Sequence, residues 1–325
     1  MRVRQTLNIV SAFAGICSLA ALSHAASLTP AATTAGFSLS TFATGFPNSS
    51  NVGPLGIGFV SNGNVIVSDF LGNVRVFPTD TDGQNAATVA IAQNYGVANA
   101  VGIAQVGQTF YMSQQAGGNL VQINSNGTFN QTIQTGMGGA TGVATNPGNG
   151  HIFVSTLGSN VIFDVDPIAK TKTTFVNASA DGLSTDGTTL YGEVGSHILG
   201  WNIATKAQVF DSGPIAGDAD GTALGSGTLA GNIFANTNGG TLIQINLTTL
   251  VQTVLITGGS RGDFVSVDPN GTLLLTQTDS ILRLTAPAGG GFGTPVPLPS
   301  SFGMGLATII GIGGIMLMRK RFSRA

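Results

Sequence analysis

The sequence predicts an all-β fold, a six-bladed β-propeller flanked by an N-terminal export signal and a C-terminal transmembrane helix. Three observations lead there. Six segments repeat at a spacing of 39 to 46 residues. Each begins with Gly and a short apolar strand, then a turn, then a strand ending in small polar residues. A third strand follows a Gly/Ser/Asn turn. Finally, Gly makes up 48 of 325 residues and charged residues only 8%, a composition of short strands and tight turns rather than helices.

At the start, Arg2 and Arg4 precede an apolar run over residues 9–22, and small residues follow. Residues 1–25 read as a secretory signal peptide cleaved after Ala25, with Ser23 and Ala25 in the small-residue positions. The single cysteine, Cys17, lies inside that run behind Ile16; a lipoprotein signal would place Gly or Ala there. The exported chain then has no cysteine, hence no disulfide, thiolate metal site or Cys nucleophile. With two of 12 basic residues in the signal and four in the tail, six bases face 14 acids, a formal charge of −8. A surface so acidic and poor in Lys argues against nucleic acid or anionic lipid as partner.

The repeats begin at Gly56, Gly102, Gly142, Gly182, Gly221 and Gly262, at steps of 46, 40, 40, 39 and 41 residues. A fourth strand follows in the first five, at residues 87–92, 128–132, 171–176, 207–211 and 250–256. Four strands per unit at this period is the pattern of propeller blades. A lone four-stranded sheet leaves both faces and both edges open; six stacked radially cover one another's faces. Gly at the head of each inner strand suits the crowding around a central channel. The sixth unit has no fourth strand of its own. The alternating stretch 37–44 (Phe37, Leu39 and Thr41 against Ser38, Ser40 and Phe42) is expected to supply it, as the outer strand of the last blade from about residue 36. The propeller thus spans residues 26–284. In stretches such as SNGNVIVSDFLGNVRVF the units resemble the NHL-repeat and gluconolactonase-like six-bladed propellers. The resemblance covers residues 37–284 as shared punctuation, without a signature motif.

Residues 285–299 read as a Gly/Pro-rich linker ending in Val296, Pro297, Leu298 and Pro299. Residues 300–318 are uncharged, and as a helix they would span about 28 Å at about 1.5 Å per residue, the thickness of a hydrocarbon core. Arg319, Lys320, Arg321 and Arg324 crowd the last seven residues, a basic cytoplasmic tail that puts everything before the span outside. This ending resembles the PEP-CTERM sorting signal of Gram-negative bacteria, in a variant with Leu298 in place of the motif's Glu. The resemblance implies an exosortase and the inner membrane as partners. It also implies a periplasmic ectodomain passed on to the cell surface or beyond, in the company of exopolysaccharide or surface proteins. A plain C-terminal anchor is the alternative.

For a ligand site, the ends of the second strands align as a ring at the channel mouth: Asp69, Gln114, Thr156, Glu193, Asn236 and Gln277. A second set flanks the anchor glycines: Leu55, Val101, Thr141, Asp181, Asp220 and Arg261. The gluconolactonase resemblance implies a divalent cation, Ca or Zn, between carboxylates and an amide. Glu193, Asp181, Asp218, Asp220 and Asn236 are the residues available for it, since hard cations take oxygen ligands. These carboxylates are concentrated in blades four and five, whereas the family spreads its ligands round the ring. The competing account of Asp181, Asp186, Asp218 and Asp220 is that they stabilise turns. His151 and His197 each open a strand and are singled out only because a seven-bladed lyase branch uses His with Glu. No nucleophile–His–acid set, G-x-S-x-G elbow or phosphate-cradling loop is present. Two functions follow: a non-enzymatic binding or structural module outside the membrane, or a metal-dependent lactone hydrolase.

Overall fold

The computed structural model of the chain describes residues 25–293. The expected signal peptide up to residue 24 and the expected sorting motif, transmembrane span and basic tail lie outside the described residues.

Six antiparallel sheets stand round a central axis. The first blade is Pro54–Phe59, Val65–Asp69, Asn73–Phe77 and Ile91–Asn94. The second is Ile103–Val106, Thr109–Gln114, Asn119–Ile123 and Phe129–Gln134, and the third is Ala140–Thr145, Ile152–Thr156, Val161–Asp166 and Thr171–Val176. The fourth follows with Leu183–Thr185, Thr189–Val194, His197–Asn202 and Gln208–Asp211, and the fifth with Ala219–Gly227, Asn232–Thr237, Leu242–Asn246 and Gln252–Thr257. The sixth takes Val265–Val267, Leu273–Thr276 and Ile281–Thr285 from the C-terminal part. Its outer strand is Ser38–Thr44, antiparallel to Ile281–Thr285 with Leu39 opposite Leu284 and Ser40 opposite Arg283.

Each seam between neighbouring blades carries its own apolar cluster. Phe42, Phe77 and Ile281 fill the seam from the sixth blade to the first. Ile66 with Phe110, and Leu120 with Val154, fill the next two. Phe153 with Trp201, Ile198 with Ile233, and Phe234 with Leu284 complete the circuit. These side chains come from both faces of each sheet, so consecutive residues such as Val65, Ile66 and Val67 are apolar, and Val65–Asp69 is buried throughout. Radial stacking is what satisfies such a pattern, because no blade face is left for water.

The anchor glycines are a steric requirement of that stacking. A Cβ on Gly142 would lie 1.8 Å from the Asp181 carbonyl oxygen of the next blade, a contact no rotamer relieves. Gly142→Ala is therefore expected to lose about 3 kcal/mol or more through overpacking, read as a lower denaturant midpoint. A loss below about 0.5 kcal/mol would mean that the seam yields freely.

Two segments differ from expectation. The fourth strand of the first blade starts at Ile91, because Asn85 caps a short 3-10 turn at Ala86–Thr88. Just before it, Gln84–Asn85 pairs in parallel with Ala43–Thr44, fastening the first blade's loop to the closing strand. The stretch after residue 284, read as linker, also forms structure: Gly290–Phe292 pairs with Gly225–Gly227 of the fifth blade's long inner strand. Phe292 is buried there, its ring 4.9 Å from Phe234. One aromatic among glycines suffices to dock the segment, since its burial outweighs the ordering of a few small residues.

The two described ends lie at opposite faces of the disc. Ser27–Leu28 pairs with the end of the fifth blade's outer strand, Ile256 and Thr257, on the face where the inner strands begin. Gly293 donates to the Leu224 carbonyl and Phe292 to that of Gly271, on the face where the inner strands end.

Candidate functional site: an acidic channel mouth

Strand register decides which side chains meet at the mouth. Gly56, Gly102, Gly142, Gly182 and Gly221 stand opposite Ser68, Ser113, Ser155, Glu193 and Asn236, as the adjoining pairs Ile57–Val67, Ile103–Met112, Val143–Val154 and Leu183–Gly192 and the direct pair Gly221–Asn236 require. In the sixth blade Val265 pairs with Leu275, so Phe264 takes the anchor place opposite Thr276. Gly262 stands two residues before it. Correspondingly, a Cβ on Gly221 would lie 2.7 Å from the Phe264 Cα.

The inward ring is thus Ser68, Ser113, Ser155, Glu193, Asn236 and Thr276. The sequence alignment has Glu193 and Asn236 in phase and the other four one residue late. Asp69, Gln114, Thr156 and Gln277 close loops instead. Asp69 accepts from the Asn73 amide at 3.0 Å and pairs with Arg75 at 2.7 Å. Gln114 accepts from Asn119 at 3.1 Å, and Thr156 donates to the Val161 carbonyl at 2.7 Å. Gln277 accepts from the Ser260 amide at 2.7 Å. The slip has a simple cause: each second strand there ends in two polar residues, and a step of one turns a side chain to the other face.

The residues before the anchors divide the mouth into two halves. Leu55 and Val101 are buried against Val52, Phe70 and Phe264. Thr141, Asp181, Asp220 and Asp263 form the polar half, Asp263 holding the place aligned to Arg261 from the sequence. Arg261 still takes part: its Nε donates to Asp263 at 2.8 Å and its guanidinium reaches Asp220 at 3.3 Å. Thr141 donates to Asp181 at 2.7 Å. Burial pushes the Asp181 carboxyl up to about 6, the Thr141 hydrogen bond opposing. Burial, reinforced by the charges of Asp181 and Asp263, pushes Asp220 up to about 8. Asp263 is also raised by burial, against the pull of Arg261. Glu193 is raised well above the ordinary range, by burial first, against its own backbone amide and the Thr222 hydroxyl, and then by the charges of Asp181 and Asp220.

These residues do not fit a divalent cation. Among the described residues no three His, Cys, Asp or Glu side chains converge as a metal site. Asp218 sits on an exposed turn at φ 51°, and the Asn236 amide donates to the carbonyls of Thr276 and Phe264 at 3.0 and 3.3 Å. Asp220 and Asp263 already share the Arg261 guanidinium. Nor do the histidines join the mouth: His151 Nδ1 lies 2.8 Å from Asp164 and His197 Nδ1 2.7 Å from Asp211.

The channel itself is nearly filled, with about 30 Å³ left between Gly56, Gly102, Gly182, Gly221 and Phe264. Beside the mouth opens a cleft of about 680 Å³, lined among others by Asn51, Asn238, Arg261, Gln277, Thr278 and Asp279. Residue order alone does not show this cleft, because its wall joins residues 51 and 279 across the ring closure.

No family model matches the chain, and no curated protein matches it in sequence. Solved structures do. A gluconolactonase from Xanthomonas campestris superposes with TM-score 0.62 at 15% identity, over 81% of this chain and 95% of its own. Streptogramin B lyase gives 0.54 at 11% identity, over 77% and 98%. A chain of the nidogen/laminin complex gives 0.53 at 15%, over 68% and 98%. At such identities the likeness is one of fold, shared by proteins of different activity. The chain is an all-β six-bladed propeller with gluconolactonase-like structural neighbours.

Proposed function

We propose that this chain is an exported, exosortase-sorted propeller that acts outside the inner membrane as a non-enzymatic binding or structural module, in a surface or exopolysaccharide layer. The observation that carries the binding role is the state of the mouth. Its ring side chains are buried, five of the six are spent on bonds within the protein and the channel holds about 30 Å³, so the larger open feature among the described residues is the cleft of about 680 Å³. Hydroxyl and amide groups with one half-buried guanidinium suit a polyhydroxylated ligand bound by hydrogen bonds.

The test is co-sedimentation of the full-length protein with exopolysaccharide recovered from the producing cells. Binding that falls at least tenfold on Thr278→Trp, which fills the cleft, is the expected result. Absence of binding, together with a melting temperature raised by millimolar calcium or zinc and with lactone turnover, would replace this reading by the hydrolase. Mass spectrometry of the mature C-terminus tests the sorting: an end near Pro299 supports processing, and an intact Ala325 opposes it.

A further inference from the structure

Four of the six ring side chains follow one hydrogen-bonding rule; Thr276, at the ring closure, instead donates to the Phe264 carbonyl of its own blade at 3.0 Å, and Glu193 is the other exception. Ser68 Oγ accepts from the Gly56 amide at 2.9 Å and donates to the Val101 carbonyl of the second blade at 2.6 Å. Ser113 accepts from the Gly102 amide at 3.0 Å and donates to the Thr141 carbonyl of the third blade. Ser155 donates to the Asp181 carbonyl of the fourth blade at 2.9 Å. In the fifth blade Asn236 donates to the Phe264 carbonyl of the sixth at 3.3 Å. Each is a hydrogen donor aimed at the carbonyl that precedes, or occupies, the next blade's anchor.

In the fourth blade the same place belongs to Glu193, facing the Asp220 carbonyl. An ionised carboxylate only accepts, and so does a carbonyl, so two acceptors would meet. The placement nonetheless matches that of serine. A Cβ on Gly142 would lie 1.8 Å from the Asp181 carbonyl oxygen and 2.9 Å from Ser155 Oγ. On Gly182 it would lie 2.4 Å from the Asp220 carbonyl oxygen and 2.7 Å from Glu193 Oε2. Glu193 is 2% exposed, and neither carboxyl oxygen has a hydrogen-bond partner.

The surroundings oppose a charge there. Asp181 faces Glu193 from its own blade's inner strand and Asp220 from the fifth blade, with Asp263 and the single cation Arg261 beyond, on the sixth. On the third strand Ile198 stands opposite, while His197 is occupied by Asp211. Thr222 and Ser184 hydroxyls bond to each other at 2.8 Å at the same seam.

We propose that Glu193 is carried as the neutral acid, its O–H donating to the Asp220 carbonyl as a proton-dependent buckle between the fourth and fifth blades that opens when the proton is lost. Neutral Glu193 does what the serines do elsewhere, and its ionisation sets two acceptors and three carboxyl groups against one another. The sign follows from the raised folded value: the stabilisation is complete below the ordinary carboxyl value of 4.5 and is lost as pH rises through the folded one. The seam that opens borders Asp220 and Arg261, so rising pH loosens the cleft's side of the mouth.

Glu193 is the only glutamate in the 325 residues, so full-length protein made with [δ-13C]glutamate reports one carboxyl by NMR. The expected spectrum at about pH 6 is that of the protonated acid, titrating well above the ordinary range. Amide exchange at Gly182, Glu193 and Asp220 should speed up through the same titration. An ionised signal at about pH 6 overturns the proposal. Glu193→Gln keeps a donor and removes the titration, so the fall in melting temperature between about pH 5 and 9 should shrink by about half. An unchanged fall would assign it to Asp181, Asp220 and Asp263 and overturn the switch. If the variant fails to fold, the wild-type carboxyl signal still decides.

Discussion

Deletion of Ser38–Thr44 is expected to unfold all six blades together rather than fray the last one. The strand holds the outer edge of the sixth blade through five register pairs with Ile281–Thr285. It also delivers Phe42, fully buried and packed edge-on against Phe77 of the first blade at 5.4 Å. Removing Phe42 alone should cost about 3–5 kcal/mol as a large-to-small change in a packed core. Removing the strand also strips the ladder and opens the ring, so each seam gains a free edge. The single tryptophan, Trp201, reports from the far side, buried between the third and fourth blades. Its emission should be red-shifted in the deletion variant at 25 °C. Native-like Trp201 emission, with exchange increased only at residues 265–285, would show that the blades stand independently.

The second large effect is expected at Arg283. It lies on the third strand of the sixth blade, and its guanidinium donates to Asp82 at 2.7 Å, Asp80 at 2.7 Å and Thr272 at 2.8 Å, and also to Asp268. It lies 5.5 Å from the Phe42 ring. Asp80 and Asp82 belong to the first blade's loop, so one cation gathers carboxylates from both sides of the closure. Arg283→Met leaves Asp268, which is 1% exposed, without its counter-charge. The expected loss is about 3–5 kcal/mol, the cost of stranding a buried charge. Adding Asp268→Asn should recover a good part of it, and acid should recover a further part by neutralising Asp80, whose carboxyl burial already pushes up to about 6. A loss below about 1 kcal/mol in chemical denaturation would reduce the cluster to a surface network.

Both predictions concern the closure, the part of the architecture most legible in the residue order. Alternation over residues 37–44, ahead of the first repeat and matched to a last unit short of one strand, identified the strand that pairs with Ile281–Thr285. The glycines marking the inner strands were equally legible in five blades, because close approach of neighbouring backbones admits no side chain there. In the sixth blade that cue misled: Gly262 precedes the anchor place, and Phe264 fills it and helps to plug the mouth.

The inward ring was less legible. Ser68-Asp69, Ser113-Gln114, Ser155-Thr156 and Thr276-Gln277 each offer two polar candidates, and only the pairing with the inner strand tells which lies beside the anchor. The role of Glu193 was out of reach for a related reason. That it is the lone glutamate is countable, but that it stands where other blades put a hydroxyl emerges only when the ladders are in register. The docking of Phe292 likewise depends on Phe234, which lies 58 residues earlier.

The sequence by itself determined the number of blades, the strands within them and the way the ring closes. These rest on periodicity and local backbone preference, both written along the chain. The tertiary structure alone decided which polar side chains lie beside the anchors and which carboxyl groups share the buried mouth. Burial and electrostatic fields depend on neighbours about 40 residues away in the next blade, and a one-residue step reverses which face a side chain presents.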